Sequence, residues 1–198
     1  MRYAKEHKAE TRKRVVDAAS RRFRKDGIEA TGVVDLMADA GLTHGGFYAH
    51  FPSKEILVKE TLAAASAASR ARLQRRIDDA RAEGRDPIEA VIRAYLTTVH
   101  RDRPDRGCSV AALGSEIARH PKKTREAFTE GLGKTLDLIA SALSDHVTAQ
   151  RQEKACAIFS TMIGALQLSR AISDSAMSQS VIDAGIAAAL QLARSGSN

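Results

Sequence analysis

The spacing of apolar residues is the feature that most constrains the fold of this chain. Val15, Val16, Ala19 and Phe23 form one stripe, and the same three- and four-residue spacing returns in most later segments. No segment sustains the apolar–polar alternation that is typical of a half-buried strand. The 198 residues are enough for one sizeable core or two smaller ones. The pattern therefore predicts an all-α fold.

Capping and breaking residues predict where the helices begin and end. A first helix is predicted from about His7 to Lys25, and Gly27 follows it as a C-terminal cap. Gly41 predicts a tight turn after a second, short helix. Thr43 and Ser53 are good N-caps for the two helices that come next.

These signals divide the chain into two predicted units. Residues 1–52 contain three helices, and residues 53–198 form a larger helical domain that begins with a long connecting helix. The segment RDRPDRG at 101–107 has the composition of a loop. About nine helices are expected in all.

The placement of charge points to a polyanion. The chain carries a net charge of +7, and residues 1–25 alone hold ten Lys and Arg against three acidic residues. A basic end on a nearly neutral body suggests a local contact with a nucleic acid. A basic helix that is simply solvated is the alternative.

Several classes of protein are disfavoured by composition. The N-terminus is charged from the start, without the apolar stretch of a signal peptide. The longest uncharged run, between Lys154 and Arg170, is too short and too polar to span a bilayer. Two cysteines, Cys108 and Cys156, do not form a disulfide framework. A cytoplasmic protein without a membrane partner is expected.

Adjacent glycines occupy an unexpected place in this chain. Gly45 and Gly46 stand where a short helix should begin, although each costs about 1 kcal/mol relative to alanine. Two short helices joined by a glycine turn, after a basic helix, are typical of a helix-turn-helix. Its second helix enters the DNA major groove N-terminus first, so residues without side chains there would permit close approach. A flexible loop followed by two aromatic core residues is the alternative.

The segment TGVVDLMADAGLTHGGFYAHFPSKEIL, residues 31–57, resembles the DNA-binding segment of TetR-type transcriptional repressors. Many spacings agree together over about residues 8–58. The matching positions are Thr31, Ala40-Gly41-Leu42, Thr43, Gly45, Phe47-Tyr48, His50-Phe51 and Ser53-Lys54. The resemblance implies an N-terminal helix-turn-helix domain and a larger domain that binds a ligand and dimerises.

The resemblance also implies roles for individual residues in DNA binding. The positions that would face base edges or the groove floor are Thr43, His44, Gly46 and Ala49, and those that would donate to phosphates are Tyr48, His50 and Lys54. Gly45 belongs to the same approach surface. Phe47 and Phe51 would be core. Taken singly, His44 or His50 is more often an ordinary surface histidine and Tyr48 a core residue.

Two departures from the family pattern bear on specificity. Gly32 stands where a Ser or Thr usually caps the second helix and contacts phosphate, so that hydroxyl contact is missing. Gly46 and Ala49 stand where bulkier side chains that contact bases are common. Thr43 and His44 remain as the main polar readers, so base discrimination is expected to be modest or to depend on DNA shape.

The larger domain is expected to hold an unknown small-molecule effector and a dimer interface. Ile158, Met162 and Leu166 lie on one face of the penultimate helix, and Phe159 and Ile163 near another. A helix that is apolar on both faces is buried on both. Together with the resemblance, this predicts a homodimer through the last two helices.

Candidate residues for the effector site come from the middle helices. They are Tyr95, Val99, His100, Cys108, Leu113, Glu116, Phe128 and Arg170. Tyr95, Val99 and Phe128 are as readily explained as plain core. Cys108 opens a helix beside Arg103 and Arg106, an arrangement that favours a reactive thiolate, with a small buried helix residue as the alternative. Cys156 is predicted to be core.

The sequence gives little support for catalysis. It has no glycine-rich phosphate loop and no Gly-x-Ser-x-Gly motif, and its six histidines are scattered without metal-ligand spacing. No cofactor or metal is expected. Together with the lack of catalytic motifs, the TetR-type resemblance implies a transcriptional repressor that a small molecule releases from a palindromic double-stranded DNA operator. A helical enzyme, or an adaptor that does not bind specific DNA, remains the alternative.

Overall fold

The computed structural model describes the backbone of residues 2–143 and 148–195. Within these ranges it contains ten α-helices and two short 3₁₀ turns, His44–Gly46 and Pro104–Arg106, and no strand. The α-helices are α1 (Arg2–Asp26), α2 (Val33–Asp39), α3 (Phe47–His50), α4 (Lys54–Ala82), α5 (Pro87–Tyr95), α6 (Thr98–Asp102), α7 (Ser109–Ile117), α8 (Lys122–Ser141), α9 (Thr148–Ala171) and α10 (Ser175–Arg194). The prediction of an all-α fold is confirmed.

Most predicted caps are present. Gly27 and Gly41 have φ values of +91° and +69°, a conformation that L side chains rarely adopt, and they end α1 and α2. The Ser53 hydroxyl accepts a hydrogen bond of 3.3 Å from Ile56 N and so caps α4. Thr43 has the extended backbone of an N-cap, but its hydroxyl makes no capping hydrogen bond.

The loop predicted for residues 101–107 is wrong in part, because α6 and the second 3₁₀ turn occupy most of it. Helix α5 stops before Leu96, and the Thr97 hydroxyl then accepts a hydrogen bond of 3.1 Å from His100 N. This cap starts a new helix of only five residues, too short to show an apolar stripe. Val99, which could have been plain core, therefore lies outside α5 and is 72% exposed.

Two buried apolar clusters organise the chain. One joins α1 to α3 with the first two turns of α4, and Leu113 and Ile117 of α7 complete it. The other fills the space between the rest of α4 and α5 to α10. Helix α4 contributes to both clusters, so the predicted boundary at residues 52 and 53 falls at the start of a helix that both units share. None of the described helices is long and apolar enough to cross a membrane.

Candidate nucleic-acid interface and ligand chamber

The aromatic residues after the double glycine hold the second helix of the motif in place. Phe47 and Phe51 are fully buried, and their rings stack with centroids 5.6 Å apart. Tyr48 lies edge-on to Phe47 at 5.3 Å but is 66% exposed. Packing against α1 and α2, rather than helix propensity, therefore positions this short segment.

Arg12 of α1 ties this segment to two other helices. Its guanidinium lies 4.2 Å from the centre of the Phe51 ring. It also donates to the His50 carbonyl and pairs with Glu60 of α4, with 3.0 Å between Nε and Oε2. The C-terminal end of α3 is thus fixed by a charge in α1, which the sequence pattern did not single out.

Six of the nine predicted DNA-contacting residues are exposed. They are Gly32, Thr43, His44, Gly45, Tyr48 and Ala49, whereas Gly46 and His50 are half-buried. Lys54, predicted to contact phosphate, is half-buried and donates to the Ile28 carbonyl at 2.7 Å. Before DNA binds, Lys54 therefore joins the start of α4 to the α1–α2 loop.

The two glycines point in different directions. A Cβ atom on Gly45 would have nothing within 4 Å. A Cβ atom on Gly46 would lie 3.6 Å from Met37 Cε and 3.9 Å from Thr43 Oγ1. Gly46 was predicted to face the groove floor, but a side chain at this position would point towards the buried Met37. Gly45 is the glycine that leaves the outer surface open.

His50 lies near several positive charges. Its Nδ1 is buried without a hydrogen-bond partner among the described residues. Desolvation, followed by the positive charges of Lys8, Arg12 and His7, lowers the pKa of the imidazole. The ring is therefore uncharged at neutral pH.

A chamber of about 350 Å³ lies between α4, α5, α8 and α9, and the segment from Thr97 to Val110 closes one side. Four of the eight predicted effector-site residues line it: Tyr95, Val99, His100 and Cys108. Cys108 occupies the N-cap position of α7 and is half-exposed. A volume of this size suits a small organic ligand.

The other four predicted residues do not line the chamber. Leu113 and Phe128 belong to the cluster around the N-terminal helices. The Glu116 carboxylate accepts a hydrogen bond of 2.7 Å from Ile28 N. Arg170 lies behind the wall and donates to the carbonyl of His100 at 2.7 Å and to that of Arg101 at 3.1 Å. The sequence pattern predicts that a residue is buried, but it does not predict which residues it packs against.

His100 holds the chamber wall rather than presenting a free ring nitrogen. Its Nε2 accepts a hydrogen bond of 3.0 Å from the Cys108 amide, so the proton lies on Nδ1, which donates to the Tyr95 carbonyl at 2.8 Å. Desolvation, with contributions from Arg170 and Arg72, lowers the pKa of His100. The ring is neutral and both of its nitrogens have partners.

The apolar residues of α9 are buried as predicted. They pack within the chain, however, and do not form a second apolar face on the outside. Ile158, Phe159, Met162 and Leu166 are all buried within the chain itself. Cys156, predicted to be core, is exposed. The exposed residues of the last two helices instead include many small ones: Ala157, Ser160 and Ala171 on α9, and Ser180, Ala184, Ala187 and Ala188 on α10. Leu168 on α9 and Met177 on α10 are large and exposed.

Comparison with known proteins agrees with this geometry. The family model "Bacterial regulatory proteins, tetR family" matches residues 15–61. The model "Transcriptional regulator LmrA/YxaF-like, C-terminal domain" matches residues 85–183, which is half of the chain. The protein is therefore a helix-turn-helix transcriptional regulator. The chain belongs to the TetR family.

Individual relatives are similar over part of their length. The chain is 40% identical to the HTH-type transcriptional regulator TtgR of Pseudomonas putida over 62 residues, which are 31% of this chain and 30% of TtgR. It is 28% identical to the uncharacterized regulator YxaF of Bacillus subtilis over 115 residues, 56% of this chain and 58% of YxaF. The chain thus matches less than a third of TtgR.

Solved structures share the fold over nearly the whole chain. Escherichia coli NemR in its reduced form superposes with a TM-score of 0.75 at 20% identity, covering 92% of this chain and 97% of NemR. A TetR regulator from Chloroflexus aurantiacus gives 0.74 at 24% identity, covering 94% and 97%. These similarities establish the architecture, and the chemistry of the chamber has to be argued from its own residues.

Proposed function

We propose that this chain is a cytoplasmic, homodimeric repressor that binds a palindromic operator and is released by a small molecule in the chamber. The observation that carries the proposal is the pairing of two surfaces in one chain. One is the exposed segment from Thr43 to His50 beside the basic α1, and the other is the largely apolar chamber.

The exposed segment offers the groups that DNA recognition needs. The Thr43 hydroxyl makes no capping bond, so it is available to a base or a phosphate. The His44 ring lies edge-on to Tyr48, with centroids 6.4 Å apart, and this contact holds both side chains on the outer surface. Arg and Lys residues of α1 would contact DNA phosphates and supply affinity, while His44 would form hydrogen bonds with a base edge.

The exposed face of α9 and α10 supports the homodimer. It holds only two large apolar residues, Leu168 and Met177, which are 60% and 59% exposed. The small residues around them permit close approach of a second pair of helices. A two-fold axis through this face would present two copies of the recognition segment to two half-sites.

Direct contacts connect the chamber wall to the DNA-binding helices. Arg24 of α1 donates to the Asp105 carbonyl from Nε at 3.0 Å and from Nη2 at 2.6 Å. Glu116 of α7 accepts from Ile28 N at 2.7 Å. A ligand that shifts the wall would therefore act on the end of α1 and on the start of the α1–α2 connection.

Selection of bound duplexes from random sequence tests the proposal as a whole. A palindromic site should emerge, with two half-sites about one helical turn apart. With roughly 6–10 phosphate contacts, affinity should fall about 10³–10⁵-fold between 50 and 200 mM salt. Equal affinity for every duplex at 100 mM salt would contradict specific regulation and favour the enzyme or adaptor alternative.

Two substitutions separate base reading from phosphate contact. His44→Ala should relax preference at one base pair of each half-site, at a cost of about 1–3 kcal/mol. Tyr48→Phe removes only an exposed hydroxyl and should weaken all sequences alike. Lys54→Ala is less informative, because it also removes the bond to the Ile28 carbonyl. Unchanged preference in His44→Ala would show that His44 reads no base.

Leu168→Arg tests the dimer. It places a charge on the exposed face of α9 and should yield monomers by light scattering, together with the loss of operator binding. Ala64→Arg, at an exposed position of α4, is the matched control and should remain dimeric. A dimeric Leu168→Arg protein would place the interface elsewhere. Leu166 is unsuitable for this test because it is buried within its own chain.

A further inference from the structure

The charged side chains that line the chamber are all positive. Four arginines line it, Arg72, Arg76, Arg103 and Arg106, and none of its lining residues is Asp or Glu. Charges of one sign around a partly enclosed space raise the local concentration of ions of the opposite sign. The lining therefore favours a ligand with negative charge.

The four arginines are not equally available. Asp105 pairs with Arg103 at 3.1 Å and lies 3.7 Å from Arg106, so one carboxylate already offsets part of their charge. Arg72 donates to the Ser69 hydroxyl at 3.1 Å. No ion pair joins Arg72 or Arg76 to a carboxylate among the described side chains, and Arg76 also borders a surface pocket that contains Asp79, Asp86 and Glu89. These two exposed residues, one turn apart on α4, are the chamber arginines without a paired carboxylate.

The remaining walls suit an apolar body. The aliphatic, aromatic and methionine side chains of the lining include Leu73, Val91, Val110, Ile139, Phe159 and Met162. Phe159 and Tyr95 meet edge-on with ring centroids 5.9 Å apart. Aromatic edges and methionine accommodate flat ring systems.

Tyr95 adds a poorly satisfied polar group. Its hydroxyl is buried, has no nitrogen or oxygen partner among the described residues, and lies beside the Cys108 thiol. Burial raises the pKa of the phenol well above its ordinary value, and the charge and hydrogen bonding of Cys108 add to this shift. The hydroxyl is therefore neutral. A thiol is a weak hydrogen-bond partner, so an acceptor on a ligand would satisfy the buried hydroxyl better.

We propose that the chamber binds an amphipathic organic anion, with a flat apolar body between α5, α8 and α9 and an acid group facing Arg72 and Arg76. A polar atom on the body would accept a hydrogen bond from Tyr95. This inference rests on the proposed role of the chamber as the effector site and specifies its ligand class. Neutral or cationic molecules of the same shape would lack the pairing with the two arginines.

A pair of dyes with one ring system tests the charge requirement. 8-Anilinonaphthalene-1-sulfonate carries a sulfonate, and N-phenyl-1-naphthylamine is the same body without it. Fluorescence titration of the full chain should show that the sulfonate dye binds at least about 10-fold more tightly, as expected of a charge-assisted contact. Raising the salt concentration should reduce this difference.

Matched substitutions locate the effect. Arg72→Gln should weaken the sulfonate dye about 5–10-fold and leave the neutral dye within about twofold, because only the charged contact is lost. Arg75→Gln removes the same charge from an exposed position of α4 that does not line the chamber, and it should behave as the original protein. Thermal melts of both variants establish that each is folded.

The outcomes separate this inference from the proposed function. Equal affinity for the two dyes, no binding of either, or equal losses in Arg72→Gln and Arg75→Gln would overturn the anion preference. Operator release is then measured by gel shift with each dye present. If the sulfonate dye binds in an arginine-dependent way but does not release the operator, the anion preference is supported. The same result would contradict ligand-controlled repression. Equal release by both dyes would support that control and overturn the charge requirement.

Discussion

Gly45 provides the sharpest test of how this protein approaches DNA. A Cβ atom at position 45 meets nothing within 4 Å, whereas one at position 46 meets Met37 Cε at 3.6 Å, which is an ordinary contact. Gly45→Ala and Gly46→Ala therefore add the same methyl group in two directions, outward and inward. Gly45→Leu extends the outward change.

The fold should tolerate all three substitutions. Alanine and leucine are better helix formers than glycine, so the free energy of unfolding should stay constant or rise by up to about 1 kcal/mol. Gly46→Leu would be a poorer experiment, because a leucine there has to share space with the buried Met37. Overpacking of that kind costs about 1–3 kcal/mol and would confuse the result.

DNA binding should depend on whether the added side chain points outward or inward. Hydrogen bonds to bases and phosphates weaken steeply beyond about 3.2 Å, so a leucine that holds the helix off the groove breaks several of them. The loss of two such contacts costs about 2–4 kcal/mol, or about 30–1,000-fold in affinity. Gly45→Ala should show a smaller loss, and Gly46→Ala should bind like the original protein.

Thermal melts and gel shifts at one salt concentration measure both effects. If Gly45→Leu binds the operator as tightly as the original protein, position 45 does not face DNA and the docking of this helix is incorrect. If Gly45→Leu unfolds the N-terminal helices, the glycine serves the backbone rather than the approach to DNA.

Further predictions concern the larger domain. A Cβ atom on Gly185 would lie 2.4 Å from Ala165 Cβ, so Gly185→Ala should lose about 1–3 kcal/mol in chemical unfolding and Ala165→Gly should restore part of it. Gly133→Ala, with nothing within 4 Å, is the control and should be neutral or stabilising, and equal effects would refute the close packing of α9 and α10. Tyr95→Phe should leave the free energy of unfolding unchanged or raise it by about 1 kcal/mol, since the hydroxyl has only the weak Cys108 thiol beside it, and a clear loss would mean that it has a stronger partner. Burial lowers the pKa of His100 in the folded chain, so the unfolded chain binds its proton first and stability should fall as pH drops below about 6.5. Thermal melts from pH 7.5 to 5.5 should show that the melting temperature of His100→Gln depends less on pH than that of the original protein. An identical pH dependence would mean that His100 does not contribute to it.

Local signals in the sequence were sufficient for the DNA-binding helices. The turn at Gly41 has the left-handed angle that its position predicts, and Ser53 caps α4 as its residue type predicts. Phe47 and Phe51 are buried as expected. These features depend on neighbours close in the chain, so their spacing is enough to identify them.

The chamber was less predictable because it is formed by distant helices. Within α7, Ala111 packs in the C-terminal cluster and Leu113, two residues later, in the N-terminal cluster. An apolar stripe does not distinguish these environments. The lining arginines Arg72 and Arg76 lie in a helix whose polar composition suggests only a solvated surface. Their role depends on the residues of α5 and α9 that face them.

The segment that closes the chamber also bears on how a bound ligand could act on α1. Gly107 is packed so closely that a Cβ atom there would lie 2.7 Å from His100 Nε2, and the Cys108 amide donates to that same nitrogen. A ligand that displaced the backbone of this wall would also displace the Asp105 carbonyl, which is held by two nitrogens of Arg24. Because Arg24 lies in the last turn of α1, such a displacement would reach the DNA-binding helices through this contact.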